Sequence, residues 1–341
     1  MIKLAINGYG RIGRSVLRAL YESKLREHMQ VVAINELADL ATIAHLTQYD
    51  STHGRFQFSV DAQQGLHEAL LIDGDEIIVS HCADLCDIKW PNVDVVLECS
   101  GHYDRFTDVQ AHLKHGANKV LLSQPGQAEI TAIVRGINEQ ELDSSLHIAS
   151  AASCTTNAIT PVIKVLDDAF GIAHGCITTI HSAMNDQPVL DAYHNTDLRK
   201  TRAAGSSMIP VETGLAAGIG RILPHLNGLF TAKAVRIPTQ NVSAMELTAQ
   251  VSGPVSLEAV NNALQAAAET EFKGLLGYSI APLASCDFNH DPRSGIVDAA
   301  HTRVSGQLVN IFTWFDNEWA YANRMLELAM LWSDKALPAQ N

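Results

Sequence analysis

The sequence predicts an α/β protein: a doubly wound parallel sheet followed by an α+β domain with a mostly antiparallel sheet. Three observations carry this. Short apolar runs alternate with helical stretches in the first half, a glycine-rich turn joins the first strand to the first helix, and strand-like segments lengthen and cluster after about residue 153. A chain of 341 residues has room for two domains of about 150 each.

The elements follow in order. Residues 3–6 form a β run, 8–13 a turn, and 14–24 a helix with Val16, Leu17 and Leu20 as its apolar stripe. The next strand is 31–34, with further buried runs at 93–97 and 119–122. Strand-like segments then appear at 175–181, 231–238, 242–251 and 308–315, and helical patterns at 257–268 and 317–335. The expected division is a dinucleotide-type domain, 1–153 completed by a C-terminal helix within 317–341, and a second domain, 154–316. No repeat or low-complexity linker interrupts the chain.

Composition narrows the function. Hydrophobic residues make up 47% and charged ones 18%, enough apolar mass for a real core. The formal charge of −13 repels phosphate backbones and anionic lipid, so neither nucleic acid nor membrane is an expected partner. An anionic substrate therefore needs a local cation. No stretch reaches the roughly 18 apolar residues of a membrane helix. Met1 to Ile6 runs into the Asn7–Gly8 turn, too short for the apolar region of a signal peptide. The cysteines, at 82, 86, 99, 154, 176 and 286, form no CxxC pair. That usage suits a reducing cytoplasm.

Gly8-Tyr9-Gly10-Arg11-Ile12-Gly13 fits GxGxxG, a weak pattern by itself, because glycine triplets often serve loops only. Its setting strengthens it: a strand precedes, a helix follows, and Glu36 ends the next strand roughly 20 residues on. Gly8 permits the turn, Gly10 admits a pyrophosphate, and Gly13 lets helix pack on strand. Glu36 would accept from ribose hydroxyls and repel a 2′-phosphate, which favours NAD over NADP. An ordinary turn with a solvated glutamate is the plainer alternative.

Ser153-Cys154-Thr155-Thr156-Asn157 stands at the start of a helix expected over 158–169, with Pro161 inside it. A cysteine at a helix N-terminus feels its positive end, which lowers the cost of a thiolate. His181 closes the 175–181 strand, 27 residues after Cys154. A helix and an adjacent strand could return the chain to Cys154, but strand-end histidines are commonly structural and spacing leaves both readings open. The remaining histidines, His112, His115 and His290 among them, read as structural surface residues rather than metal ligands. The basic run 197–202 is short and lacks aromatics, and reads as a loop rather than a nucleic-acid patch.

The motifs INGYGRIGR, YDSTHGRF, SCTTN, HSA, LPHLNG, VRIPTQNVS, DFNHD and WFDNEW together resemble the glyceraldehyde-3-phosphate dehydrogenase family over nearly the whole chain. Within it, AINELAD, HSAMNDQPVLDAYH, DLRKTRAA and PVETGLAAGI are most similar to the branch that acts on erythrose 4-phosphate. The resemblance implies a Rossmann domain, NAD as cofactor, a sugar-phosphate substrate, a homotetramer and a link to pyridoxal phosphate synthesis. It implies that Cys154 attacks the aldehyde and His181 assists proton transfer. It further implies that Gly8, Gly10, Arg11, Ile12, Gly13, Glu36 and Asn317 contact the cofactor, and that Ser153, Thr155, Arg199, Thr213, Gly214 and Arg236 contact the substrate and anions.

Departures from the family pattern bear on the acyl acceptor. Asp186 stands where phosphorylating members have a threonine that contacts an anion, and an ionised carboxylate cannot donate to phosphate and repels it. Ala158 replaces the second cysteine of many relatives, Glu36 is one methylene longer than their aspartate, and Lys200 beside Arg199 is a competing cation. The alternatives are a phosphorylating dehydrogenase and, from another class, a non-catalytic NAD-binding protein.

Overall fold

A computed structural model describes residues 1–194 and 197–333. Contacts separate two compact units: Met1–Ser153 with the chain from Tyr321 onward, and Cys154–Ala320.

The first unit is built on strand Ile2–Asn7, buried everywhere except at Lys3. A strand covered on both faces belongs in the middle of a parallel sheet. Met29–Asn35 and Val93–Glu98 flank it in parallel, and Ala117–Leu122, Ile148–Ser150 and Thr131–Ala132 extend the sheet beyond Val93–Glu98. On the other side Asp75–Ser80 is parallel to Met29–Asn35, but Glu68–Ile72 and Val60–Gln64 then run antiparallel. The reason is the connection: only Asp73-Gly74 separates Ile72 from Asp75, both at positive φ (50° and 88°). Such a turn closes a hairpin and cannot carry a crossover. The first helix is Arg11–Glu22, starting at Arg11 rather than Arg14.

In the second unit Ile172–His181 is central, with Phe230–Arg236 parallel on one side and Ser243–Val251 antiparallel on the other. Leu308–Phe315, Gly295–Asp298 and Leu276–Ser279 follow, mostly antiparallel, while Ile209–Val211 adds the opposite edge. The helix at Cys154 is Cys154–Phe170, longer than its sequence pattern, and it continues through Pro161. Proline leaves the carbonyl one turn back without its N–H partner. Leu257–Glu269 forms the other long helix of the unit, capped by the Ser256 hydroxyl.

The helix expected over 317–335 is Trp319–Trp332; residues 334–341 lie outside the described part. Its start is explained locally: Asp316 Oδ1 accepts from the N–H groups of Glu318 and Trp319 at 3.0 and 2.8 Å. The expectation of surface histidines fails at His112, which is fully buried because it pairs with a carboxylate and an indole inside the first unit. No described helix is long and apolar enough to cross a membrane.

Candidate active site

The first unit carries a cleft of about 190 Å³ at the carboxyl ends of its central strands, lined by Asn7, Gly8, Gly10, Asn35, Glu36 and Ser100 among others. This edge is where doubly wound sheets take ligands. Gly8 sits at φ +84°, and a Cβ there would run into the Ser100 backbone, so no other residue fits. A Cβ on Gly13 would strike the Gly8 carbonyl, whereas one on Gly10 would project into open space that a ligand could use. Gly10 caps helix Arg11–Glu22 without a side-chain acceptor, and the helix has no acidic residue in its first turn. The positive helix end therefore faces the cleft uncompensated by side chains, a setting that favours a pyrophosphate.

Glu36 Oε2 accepts from the Tyr9 N–H at 2.7 Å, and Oε1 from the N–H groups of Leu37 (2.7 Å) and Ala38 (3.3 Å). A carboxylate has lone pairs beyond these for ribose hydroxyls. Arg11 is committed elsewhere: its guanidinium grips Asp50, which it holds well below the usual carboxylate range although partial burial works the other way. Ile12 is half-buried in the first helical turn. These features fit a dinucleotide.

In the second unit the helix from Cys154 and the strand ending at His181 bring their side chains together, with Cys154 Sγ 3.9 Å from His181 Nε2. His181 Nδ1 lies 2.9 Å from the Ser182 carbonyl. A carbonyl can only accept, so Nδ1 carries the proton and the Nε2 lone pair faces the sulfur. Arg236 is the register partner of His181 on the adjacent parallel strand. Its charge acts on both Cys154 and His181, and its Nη1 is buried without a partner among the described residues.

The helix-start N–H groups favour the Cys154 thiolate as the sequence position implies, and burial opposes them. Burial pushes the Cys154 thiol up to about 11, against the opposing pull of the Thr155 N–H and Arg236. Burial likewise pushes His181 down to about 4. The helix terminus does help the thiolate, but removing the sulfur from water outweighs it.

Asn317, placed by resemblance at the cofactor, is buried in the second unit. Its Oδ1 accepts from Ser182 Oγ at 3.0 Å and Ser243 Oγ at 2.8 Å, which turns its NH₂ end away from them. Ser243 Oγ also accepts from the Ser182 N–H at 3.0 Å, so one network holds Asn317 and the backbone beside His181. Ser243 follows Val242, a buried β-branched residue at φ +60°. Such a conformation costs energy and persists only where the surroundings impose it. Ser182 and Ser243 escaped the sequence reading, since only the fold makes them neighbours.

The other sequence-predicted residues are placed as follows. Ser153 and Thr155 flank Cys154 and are half-buried. Thr213 and Gly214 form the turn into helix Leu215–Ile222, which packs against the Cys154 helix near Thr156. Arg199 is exposed on the short turn Leu198–Thr201. Lys200 bonds Asp186 Oδ2 at 2.7 Å. Partial burial would raise the Asp186 carboxyl, but Lys200 and Arg236 hold it below its ordinary value.

Comparison with known families yields two matches. The glyceraldehyde 3-phosphate dehydrogenase NAD binding domain matches residues 2–105, and the C-terminal domain of the same enzyme matches 153–317. The cofactor is NAD, and the chemistry is oxidation of an aldehyde group.

Proposed function

Because the chain belongs to the glyceraldehyde 3-phosphate dehydrogenase family and is an NAD-dependent oxidoreductase acting on aldehydes, we propose that its substrate is D-erythrose 4-phosphate and its product 4-phosphoerythronate. Asp186 carries this choice. Its carboxylate is close enough to Arg236 and His181 to act on the charge of both. Inorganic phosphate approaching a thioester on Cys154 would meet that negative charge, whereas water would not. Hydrolysis to the acid is then favoured over phosphorolysis.

Each step falls to a named residue. His181 Nε2 accepts the Cys154 proton as the sulfur adds to the aldehyde carbon, giving a thiohemiacetal. The N–H at the helix start steadies the oxyanion. Arg236, whose buried Nη1 has no partner among the described residues, supplies the local cation that an overall acidic chain needs for a phosphorylated substrate. When bound, NAD would supply the hydride acceptor, and loss of hydride would leave a thioester on Cys154. Once His181 has lost the Cys154 proton to solvent, it would accept a proton from the attacking water and return it to the Cys154 sulfur as the acid leaves. Ser153, Thr155, Arg199, Thr213 and Gly214 are proposed substrate and anion contacts; Gly8, Gly10, Arg11, Ile12, Gly13, Glu36 and Asn317 are proposed cofactor contacts. Asn317 would use its free amide end.

The same reading includes a homotetramer in the cytoplasm that feeds pyridoxal 5′-phosphate synthesis. Val189, Leu190, Tyr193, Leu198 and Met208 support the assembly, since they expose large apolar side chains within one loop region. The division at residue 153, with catalysis in 154–316, belongs to this proposal as well.

A phosphorylating enzyme remains the rival because Lys200 partly cancels Asp186. NADH formation, measured with each aldehyde with and without inorganic phosphate, separates them. The proposal expects turnover of the four-carbon aldehyde that phosphate barely changes, and a gain in phosphate response in Asp186→Thr. Predominantly phosphate-dependent turnover of the three-carbon aldehyde would overturn it.

A further inference from the structure

Glu98 ends strand Val93–Glu98 beneath the dinucleotide cleft, and its side chain and that of His112 are fully buried. Four donors meet the carboxylate. Oε2 accepts from Asn7 Nδ2 at 2.6 Å and from His112 Nε2 at 2.9 Å; Oε1 accepts from the Ser100 N–H at 2.8 Å and its hydroxyl at 2.5 Å. The other imidazole nitrogen, Nδ1, lies 3.0 Å from Trp90 Nε1.

An indole N–H can only donate. His112 Nδ1 must therefore present its lone pair, and the ring's proton sits on Nε2, pointing at Glu98. The indole thus fixes the tautomer, and the charge on Glu98 is met by four donors instead of by a cation. A buried carboxylate tolerates no missing donor cheaply. The chain of bonds then runs outward: Asn7 Oδ1 accepts from Asn35 Nδ2, and Asn35 Oδ1 from Ser80 Oγ and the Cys82 N–H, each at 2.9 Å. Asn7, Asn35, Cys82 and Ser100 line the cleft, while Trp90, His112 and Glu98 stand behind it.

We propose that Trp90, His112 and Glu98 are positioning residues for cofactor binding. The indole sets the imidazole, and imidazole and carboxylate together clamp Asn7 and the Ser100 turn in the arrangement that receives the dinucleotide. Asn7 leads directly into Gly8, whose backbone is wedged against Ser100, so both walls of the phosphate turn hang from one carboxylate. The inference rests on NAD occupying this cleft.

Titration calorimetry of NAD into cofactor-free protein tests it, alongside KM for NAD, kcat at saturating NAD, and thermal melting. Trp90→Phe keeps an aromatic ring in the cluster, though a smaller one, and removes the donor; it should weaken NAD binding about tenfold, as expected for one lost well-placed hydrogen bond, with kcat unchanged. Glu98→Gln turns an NH₂ group toward at least one donor and should weaken binding further. His112→Gln, which can offer an oxygen to Trp90 and an N–H to Glu98, should bind more tightly than His112→Leu. Wild-type affinity in both Trp90→Phe and Glu98→Gln would overturn the relay, as would His112→Gln and His112→Leu binding alike. Failure of the wild-type protein to take up NAD would instead overturn the cofactor assignment beneath it.

Discussion

The two functional regions are finished to different degrees. Around the dinucleotide cleft the buried polar groups are closed: Glu98 has four donors, both His112 nitrogens are used, and Asn7 and Asn35 bond each other. Beside Cys154 the arrangement differs. The sulfur and imidazole stand 3.9 Å apart, Arg236 Nη1 is buried without a partner among the described residues, and burial disfavours the charged form of both thiol and imidazole. A binding cleft gains from being organised in advance. A site that must create charge during reaction gains from donors that meet their partner only then.

Mutations at the two regions should therefore fail differently. The largest effect is expected at His181: His181→Asn removes the proton acceptor and should lower kcat by about 10²–10⁴-fold, while NAD affinity measured by calorimetry stays put. The pH profile sharpens the point. As the proposed proton acceptor His181 must be unprotonated, and burial pushes it down to about 4. The acid limb of kcat/KM for the free enzyme should thus fall only as pH drops toward that value, not through the usual imidazole range near 6.5.

An intermediate effect is expected at Arg236. Losing a buried, charge-assisted contact to a phosphate costs about 1.5–3 kcal/mol, so Arg236→Ala should raise KM for the aldehyde by roughly 10- to 100-fold, read from initial rates. Arg236→Lys should recover only part of it, since an ammonium lacks the planar fork.

How far the sequence could be read follows the same contrast. The glycine turn was legible because its requirements are local: Gly8 needs positive φ and Gly13 needs room, and both needs show in the chain order. The long apolar strands were legible from their runs of Val, Leu and Ile. The antiparallel edge was harder, since Val60–Gln64 is polar and mostly exposed, although Asp73-Gly74 carried a hairpin signal. His112 was misread because its partners, Glu98 and Trp90, are 14 and 22 residues away. The pull of the helix start on the Cys154 thiol is local and legible, whereas the opposing effect of burial depends on the folded unit. Arg199 and Lys200 are adjacent and alike in charge, and the chain order does not show that Lys200 bonds Asp186.

Central to the account is a covalent bond between substrate carbon and the Cys154 sulfur. Protein mixed with NAD and erythrose 4-phosphate, quenched in acid during turnover and digested, should yield the Cys154 peptide heavier by the acyl group, with the other five cysteines unmodified, and the adduct should vanish in Cys154→Ser. An adduct on another cysteine, or NADH formed at the wild-type rate by Cys154→Ser, would contradict it.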